Sequence, residues 1–268
     1  MKYALITGAN SALASTFIKS VKDDYHFFLV DTSNQLEETF SYLQNKTLIV
    51  GDLTNEETRN NLYALVNNIT DHLDLIIHFA GLLEIGPLVE VPLVNFERIM
   101  KVNLFIIYEL NKMFFNHLRL SKGRIIHLSS EYGFLLALPF HSFYTMSKKA
   151  LEVYNDSLRR ELQGFGITVI KIRPGAIKSA MQGNVTKKFD ALLLNTKNFA
   201  GSLTKMQKIM LTELKNAKDP KKLVKTFIKA TTKKKPKRVY NVCQSKRMKI
   251  LNRMPVFMQD YIISKFFH

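Results

Sequence analysis

Cysteine is almost absent from this sequence, since Cys243 is the only one among 268 residues. An internal disulfide is therefore excluded, and a reducing compartment fits this composition. No run of about 18 apolar residues occurs, so no membrane-spanning helix is predicted. The apolar stretch that follows Lys2 ends at a Thr-Gly turn and is too short for the core of a secretory signal. The sequence thus predicts a cytoplasmic protein.

Acidic residues are scarce in one part of the chain. Residues 215–253 hold 15 Lys or Arg and one acidic residue, Asp219, whereas the remainder holds 24 basic and 21 acidic residues. The net charge of +17 is therefore a local feature of the C-terminal third. Hydrophobic residues make up 46% of the chain, which is enough for a large core and excludes a largely disordered protein.

Short, continuously apolar runs predict strands that are buried on both faces, as in a parallel sheet. The segments between them carry apolar residues at helical spacing. This alternation predicts a single α/β domain with a Rossmann-like, doubly wound parallel sheet and helices on both faces. The predicted strands are residues 3–7, 27–30, 47–50, 75–77, 124–128, 167–172 and 239–242, and the predicted helices are 12–21, 56–69, 96–118 and 144–165.

We assign residues 1–242 to this α/β domain, whose predicted dinucleotide-binding residues are described below. Within it, residues 180–235 are predicted to form a mainly helical segment that covers the substrate. Residues 243–268 are predicted to form a basic, amphipathic C-terminal appendage. In the covering segment, the apolar side chains of Phe189, residues 192–194 and Phe199 predict an apolar substrate pocket.

A turn of small residues follows the first strand, from Gly8 to Ala14. Such a turn lets the backbone approach a pyrophosphate, which the free N–H groups of a helix N-terminus then bind. Three glycines are typical here, but only Gly8 is present, and Ala12 and Ala14 replace the other two. Alone, this motif is weak, because a plain strand–turn–helix would look the same. The turn residues Gly8, Asn10, Ser11, Ala12 and Leu13 are the first candidate cofactor-binding residues.

Asp31 strengthens the cofactor prediction. It ends the second strand, 23 residues after Gly8, where a carboxylate can accept hydrogen bonds from the adenosine ribose and would repel the 2′-phosphate of NADP. No basic residue flanks it, so NAD(H) is favoured over NADP(H). Alternatively, Asp31 only caps the next turn. Asp52, with Leu53 beside it, is the candidate for the adenine edge, although a helix-capping role fits its spacing equally well.

Tyr144 and Lys148 form the strongest local motif. Positions i and i+4 share one face of a helix, and an ammonium beneath a phenol is expected to lower the pKa of the tyrosine. Tyr144 could then act as general acid or base on an alcohol or ketone oxygen. Ser130 follows a strand, where its hydroxyl could bind the substrate oxygen, and Asn103 is a polar residue inside an apolar helix. Each also has an ordinary structural explanation, Ser130 as a turn or cap residue and Asn103 as a satisfied buried amide.

Together these motifs resemble the short-chain dehydrogenase/reductase family in its classical form, over residues 2 to about 182. The resemblance implies an NAD(P)-dependent oxidoreductase with a catalytic tetrad of Asn103, Ser130, Tyr144 and Lys148. Tyr144 would be the acid/base, Lys148 would lower its pKa and bind the nicotinamide ribose, Ser130 would orient the substrate oxygen, and Asn103 would hold a water in a proton relay. The motifs that carry the resemblance are Thr7-Gly8, Asp52-Leu53, Ala80-Gly81, Asn103, Ser130, Tyr144-x-x-x-Lys148 and Pro174-Gly175 with Ile177 and Ser179.

The sequence departs from the family pattern at several positions. Phe79 stands where the family usually has an Asn, with His78 before it, so the loss of that amide is expected to weaken the central strands or to be compensated. The spacing from Ser130 to Tyr144 is one residue longer than usual. Without an insertion after Ser130, Glu131 would occupy the position of the serine. Arg98 and Glu131 are expected to lie on the surface.

The basic C-terminal part has three interpretations. The first is a solvated surface with a terminal helix packed on its own domain or on another subunit. The second is peripheral contact with a membrane, in which basic residues attract anionic lipid while an apolar face inserts. Nucleic-acid binding is disfavoured, because no recognition motif accompanies the charge. No metal site is predicted, and the apolar helices at 96–118 and 144–165 suit a homodimer or homotetramer, as the resemblance implies.

We therefore predict hydride transfer between NAD(H) and an apolar alcohol or ketone. The main alternative is a non-catalytic NAD-sensing or scaffold protein of the same fold, which the altered glycine turn and Phe79 favour and the intact tetrad disfavours. A second alternative is an epimerase or dehydratase acting on a nucleotide sugar, since such enzymes also use Tyr-x-x-x-Lys.

Overall fold

Seven parallel strands form one sheet in the computed structural model, which describes residues 1–178 and 181–267, without the side chains of 181–184. The strands are β1 Lys2–Thr7, β2 Tyr25–Asp31, β3 Lys46–Val50, β4 Leu75–His78, β5 Arg124–Leu128, β6 Thr168–Pro174 and β7 Val239–Val242. Their order in the sheet is β3-β2-β1-β4-β5-β6-β7. The strand order reverses between β1 and β4, which is where open α/β sheets bind their ligands.

Helices cover both faces of the sheet, as predicted. The helices are α1 Ala12–Ser20, α2 Leu36–Thr39, α3 Glu56–Ile69, α4 Leu93–Met100, α5 Ile106–Met113, α6 Phe115–Ser121, α7 Ser142–Glu161, α8 Met181–Asn195, α9 Ala200–Lys215, α10 Lys221–Thr232, α11 Lys246–Leu251 and α12 Val256–Phe267. One face of the sheet packs against α1, α2 and α10 around the aromatic side chains of Phe17, Phe40 and Phe227. The other face packs against α3, α5 and α6 through side chains such as Leu62, Leu110 and Phe114.

The long helix predicted over residues 96–118 is divided into three pieces. A π-helical turn, Lys101–Phe105, joins α4 to α5, and the chain leaves helical geometry at Phe114 before α6 begins. The π turn contains Asn103. The side chain of Asn103 hydrogen-bonds the backbone N–H and carbonyl of Leu82, in the loop that follows β4. Single π turns of this kind frequently mark functional sites.

The helices of the segment predicted to cover the substrate pack in two different places. Helices α8 and α9 enclose a separate apolar cluster that includes Phe189, Leu203 and Met206. In contrast, α10 packs against the sheet next to α1 as the crossover between β6 and β7, with Phe227 fully buried. Its buried face (Leu223, Val224 and Phe227) makes α10 part of the main core.

The basic charge predicted as one C-terminal feature is divided by β7. The run from Lys233 to Arg238 precedes β7 and lies at the amino edge of the sheet, where Arg124 at the start of β5 bonds to the Lys233 carbonyl. The second group of basic residues follows β7, on α11 and α12, at the carboxyl edge. Among the described residues, no helix is both long and apolar enough to cross a bilayer.

Candidate active site

The carboxyl ends of β1, β4, β5 and β6 meet at one edge of the sheet, because these strands are neighbours and run parallel. The cofactor turn at Gly8, the Ala80-Gly81 pair, Ser130 and the Pro174-Gly175 turn follow these four strands in that order. Helix α7 brings Tyr144 and Lys148 to the same edge. The fold thus gathers residues that are more than 160 positions apart in the sequence.

Tyr144, Lys148 and Ser130 lie together at this edge. The Ser130 side chain hydrogen-bonds the Tyr144 phenol and also accepts a bond from the Tyr132 N–H, which begins a short 3₁₀ turn. The Lys148 Nζ lies 5.7 Å from the centre of the Tyr144 ring and donates to the Leu128 carbonyl at 2.9 Å. Gly81 lies opposite, and a Cβ there would be 3.7 Å from the Lys148 Nζ. These three side chains therefore border one small volume.

The direction of the Tyr144 pKa differs from the one predicted. Burial raises this pKa above its usual value and the nearby Glu131 carboxylate adds to the rise, while the hydrogen bond with Ser130 lowers it. Lys148 bonds to a backbone carbonyl and lies near the ring, so it does not compensate for the loss of hydration. In the protein alone, Tyr144 is therefore a neutral phenol at pH 7, which is the form that can donate a proton.

Burial lowers the pKa of Lys148 to about 8, and the Glu152 carboxylate, one helical turn further along α7, opposes that shift. A buried amine with this pKa is still mostly an ammonium at neutral pH. The charge state of Lys148 thus depends on a residue that the sequence did not single out.

Asn103 is fully buried and its amide is fully engaged by protein groups. Its Oδ1 accepts from the Leu82 N–H at 2.8 Å, and its Nδ2 donates to the Leu82 carbonyl and to the Ser147 Oγ at 2.9 Å each. Ser147 in turn donates to the Tyr144 carbonyl. Asn103 therefore connects the loop after β4 to the helix that carries Tyr144. Among the described residues, its side chain makes no hydrogen bond to Lys148.

A buried ionic cluster lies beneath these residues and was missed by the sequence analysis. The Glu152 carboxylate accepts bonds from the Ser129 Oγ at 2.6 Å, from Lys171 at 2.6 Å and from two nitrogens of Arg173. Lys171 also pairs with Asp156 at 2.8 Å. These bonds connect α7 to the ends of β5 and β6. The spacing was the available signal, since Tyr144, Lys148 and Glu152 follow each other at intervals of four residues on one helix face.

Glu131 does not lie on the surface, contrary to the prediction. It is 6% exposed, and its Oε2 accepts the Ser245 N–H at 2.7 Å. Burial raises its pKa to about 7. Its carboxylate faces the segment that follows β7, whereas the Ser130 side chain reaches Tyr144, which favours Ser130 over Glu131 as the candidate for the serine position. Arg98 is exposed, as expected.

Gly8 is the position of the cofactor turn where glycine is structurally required. Its φ is +68°, and a Cβ there would lie 2.5 Å from the Ala80 nitrogen. Ser11 caps α1 by accepting the Ala14 N–H, which leaves the N–H groups of Ala12 and Leu13 without an intrahelical acceptor. Ser11 and Ala12 are exposed, while Ala14 is fully buried. The start of α1 is thus open to an anion, and these residues fit a dinucleotide.

Asp31 is partly buried at the end of β2 and organises the turn beside it. Its two carboxylate oxygens each accept one backbone N–H at 3.0 Å, from Asn10 and from Ser33. The Asn10 side chain bonds to Ser33 and accepts from Thr39. Asp31 therefore has the turn-capping role that was one of its two interpretations, and each oxygen keeps a second acceptor site for a ribose hydroxyl.

Asp52 is exposed and accepts the Thr54 N–H at 2.8 Å, while Leu53 is buried. The helix-capping role that its spacing also allowed is wrong, because the N-cap of α3 is Asn55 and Asp52 closes only the turn before it. Ala80 and Gly81 are partly buried at the end of β4, and the Ala80 N–H donates to the Thr7 carbonyl. They complete the wall between the cofactor turn and Lys148.

Phe79 replaces a polar contact by packing. Its ring lies 4.6 Å from that of Phe227 and 6.0 Å from that of Phe17, and it is 6% exposed. His78, on the opposite face of the sheet, bonds to Asn111 and stacks on His127. At the position of the missing amide, the central strands have an aromatic contact on one face of the sheet and a buried polar network on the other face. These contacts compensate for the hydrogen bonds that the amide would make.

The Pro174-Gly175 turn lies against the segment that follows β7. The Gly175 N–H donates to the Val242 carbonyl, and a Cβ on Gly175 would lie 2.3 Å from the Cys243 carbonyl oxygen. Glycine is thus needed here for packing of the backbone. Ile177 forms a bridge with Lys218 and packs on the main core. Ser179 lies outside the described residues.

The side chains predicted to line an apolar pocket pack mostly on each other. Phe189 is fully buried, and Leu192, Leu193 and Phe199 pack around it with Phe140. Leu194 is 86% exposed. They form the apolar core between α8 and α9, and Leu192 also lines an open surface pocket with Glu84 and Asn195. In the described ranges, no group of three His, Cys, Asp or Glu side chains could hold a metal ion.

Comparison with known proteins agrees with this geometry. The family model described as short chain dehydrogenase matches residues 2–190. A 3-ketodihydrosphingosine reductase from Bacteroides thetaiotaomicron is 27% identical over 236 residues, covering 87% of this chain and 84% of its own. An NADPH-dependent 3-dehydrocapnine reductase from Ornithobacterium rhinotracheale is 28% identical over 197 residues, or 68% of either chain. A solved short chain dehydrogenase/reductase from Saccharomyces cerevisiae superposes with a TM-score of 0.75 at 18% identity, covering 95% of this chain and all of its own.

The chain therefore belongs to the short-chain dehydrogenase/reductase family. It is a nicotinamide-dependent oxidoreductase that acts on CH–OH or C=O groups, and its seven-stranded parallel sheet is the Rossmann-like sheet of that family.

Proposed function

We propose that this enzyme reduces a ketone on an apolar substrate with NADH, and that Tyr144 donates the proton. The carrying observation is the contact between the Ser130 hydroxyl and the Tyr144 phenol, a neutral phenol at pH 7, beside the Lys148 ammonium. A protonated tyrosine suits reduction, because the alkoxide that forms needs a proton. The two relatives named above support this direction, since both are called reductases of a 3-keto or 3-dehydro compound.

Each residue has a distinct role in the proposal. The bound cofactor supplies the hydride. Ser130 donates a hydrogen bond to the substrate oxygen, and Tyr144 protonates it. Lys148 holds the cofactor ribose and returns a proton to Tyr144. Asn103 holds Leu82 and Ser147 in place, and its water relay to Lys148 remains part of the proposal.

Replacing Tyr144 by Phe tests the acid/base assignment. Loss of a positioned proton donor lowers kcat by about 100- to 10,000-fold, while NADH should still bind, because the ring and the other proposed cofactor contacts are kept. Ser130→Ala should also lower kcat, whereas Ser129→Ala, which removes a bond to Glu152 and no hydroxyl beside Tyr144, should lower it less. If Tyr144→Phe retains near-normal turnover of every reducible ketone, the assignment is wrong. Tight NADH binding without any turnover in the wild-type protein would favour the non-catalytic sensor.

The preference for NADH over NADPH rests on Asp31. Its carboxylate stands at the end of β2, and the neighbouring sequences of residues 8–14 and 31–36 contain no Lys or Arg to hold a 2′-phosphate. The remaining proposed cofactor contacts are Gly8, Asn10, Ser11, Ala12, Leu13, Asp52, Leu53, Ala80, Gly81, Tyr144, Lys148, Pro174, Gly175, Ile177 and Ser179.

Titration with NADH and NADPH, followed by cofactor fluorescence, decides the preference. We expect tighter binding of NADH, and a change toward NADPH in the variant that combines Asp31→Ala with Thr32→Arg. Because one relative is named NADPH-dependent, tighter NADPH binding by the wild-type protein is the informative opposite result. It would mean that Asp31 only serves the turn that it caps.

A homodimer through α5 and α7, or a tetramer built from it, is the proposed assembly. Tyr108 on α5 and Val153 on α7 are 46% and 69% exposed, and Phe105, which ends the π turn before α5, is 52% exposed. Light scattering after gel filtration tests this. Val153→Glu should yield monomers, whereas Leu120→Glu, an equally exposed leucine on α6, should not. A monomeric wild-type protein would contradict the proposal.

A further inference from the structure

The last two helices carry an unusually apolar and basic surface. Six large apolar side chains between residues 250 and 266 are exposed by 39% to 73%. They are Ile250, Val256, Phe257, Met258, Tyr261 and Phe266. Residues 243–267 also hold five basic residues and one acidic residue. We refer to the outward side of α11 and α12 as the C-terminal face.

The geometry of these helices makes the C-terminal face a built surface and not a frayed end. On α11, Met248 is buried against Leu135 and Leu136. On α12, Phe267 is buried against Phe140, and the Ser202 hydroxyl donates to its carbonyl at 3.1 Å. The helices are thus anchored by one side.

The other side of α12 presents a continuous stripe. Phe257, Tyr261 and Lys265 follow at intervals of four residues, so they lie on one helix face. The Lys265 Nζ stacks over the Tyr261 ring at 5.0 Å. On α11, Lys246 and Ile250 have the same spacing and are both exposed. Aromatic, aliphatic and basic side chains are therefore exposed together on these two helices.

We propose that the C-terminal face docks on the surface of an anionic lipid bilayer. A helix that lies in the interface buries aromatic and aliphatic side chains at the level of the headgroups, while its Lys and Arg residues pair with lipid phosphates. The side chains of this face have that composition. A second copy of the chain fits less well, because a two-fold contact brings the same patch of both copies together, and this patch is basic with one acidic residue.

The C-terminal face lies near the loop that connects Ser130 to Tyr144. Ile263 and Phe267 pack on Leu138 and Phe140, in the loop between Ser130 and Tyr144. In the same loop, the Tyr132 ring lies 6.2 Å from that of Tyr144. A docked enzyme would therefore turn the loop before its catalytic tyrosine toward the membrane. The docking itself does not depend on the proposed ketone reduction.

Vesicle co-sedimentation of the full chain tests the proposal. The probes are vesicles of phosphatidylcholine alone and of phosphatidylcholine with phosphatidylglycerol. We expect binding to the anionic vesicles, weakened about 30-fold in Lys246→Ala/Arg247→Ala by the loss of two charges. Phe257→Ser/Tyr261→Ser should weaken it at least about tenfold, through loss of apolar burial.

Matched controls separate this surface from general stickiness and from misfolding. Lys233→Ala/Lys234→Ala removes two basic residues at the opposite edge of the sheet, and Val89→Ser removes an 81% exposed side chain elsewhere. Both should bind like the wild type, and all variants should keep NADH affinity and melting temperature. Absence of vesicle binding, equal binding to neutral vesicles, or equal effects of the control variants would overturn the proposal. A lower molecular mass of Phe257→Ser/Tyr261→Ser in light scattering would show instead that the face is a subunit interface.

Discussion

Glu152→Gln is expected to affect both the stability and the pH dependence of the enzyme. The substitution keeps the shape of the side chain and removes its charge. Lys171 and Arg173, whose side chains are 3% and 17% exposed, then lose the carboxylate between them. Lys171 keeps its ion pair with Asp156. Arg173 pairs with no other acidic side chain in the part of the chain that the structure describes.

The magnitude follows from that burial. Removing one partner of a buried ion pair lowers the free energy of unfolding by about 3 to 5 kcal/mol. Since glutamine keeps one acceptor oxygen and Lys171 keeps Asp156, we expect the lower end, about 3 kcal/mol. For a domain of this size, that corresponds to a fall in melting temperature of about 6 to 12 °C.

The same substitution should shift the pH profile of turnover. The Glu152 carboxylate opposes the effect of burial on Lys148, whose pKa is about 8. Without that negative charge the pKa of Lys148 falls further. If turnover needs the ammonium, the decline of kcat on the alkaline side should begin at a lower pH than in the wild type.

Thermal unfolding and a kcat–pH profile measure the two effects. Glu161→Gln, an exposed position on the same helix, is the matched control and should change neither. Asp156→Asn should lower stability less than Glu152→Gln and leave the alkaline limb in place. A melting temperature within about 2 °C of the wild type, together with an unmoved alkaline limb, would refute the reasoning.

Three further changes test the packing of the site. Phe79→Ala should lower the free energy of unfolding by about 3 to 5 kcal/mol in urea, and a value below about 1 kcal/mol would mean that the aromatic cluster does not replace the missing amide. Gly175→Ala places a Cβ 2.3 Å from the Cys243 carbonyl, so it should destabilise the fold by at least about 1 to 3 kcal/mol, and normal melting would contradict that contact. Burial lowers the pKa values of His78 and His127 to about 4 and about 3. Stability is then complete above pH 6.5 and falls toward pH 4, by up to about 1.4 kcal/mol per pH unit for each histidine. The stability advantage of the wild type over His78→Gln should shrink in that range, and a constant advantage would show that His78 is protonated in the folded state.

Local pattern was sufficient to predict the strands and the chemistry-bearing residues at their ends. Apolar runs place Gly8, Ser130 and Gly175 after strands, and the carboxyl ends of parallel strands share one edge. The four-residue spacing of Tyr144 and Lys148 fixes their common helix face. These predictions succeed because each depends on the periodicity of a single element.

Contacts between distant segments could not be predicted in this way. Glu131 looks like a surface acid until the segment after β7 returns to it, 114 positions later, and donates the Ser245 N–H. The direction of the Tyr144 pKa depends on burial by several elements together. Likewise, nothing in the pattern of α10 separates a helix that packs on the sheet from one that covers the substrate.

The two alanines that replace glycines in the cofactor turn, Ala12 and Ala14, do not argue against cofactor binding. Where a Cβ would collide with backbone, at Gly8, the glycine is retained. Ala14 is fully buried and belongs to the core cluster around Phe17, so a methyl group there adds packing. Ala12 is the first residue of α1, and alanine is a better helix former than glycine. Both replacements therefore stabilise the helix whose free N–H groups would bind the pyrophosphate, and they leave those groups exposed.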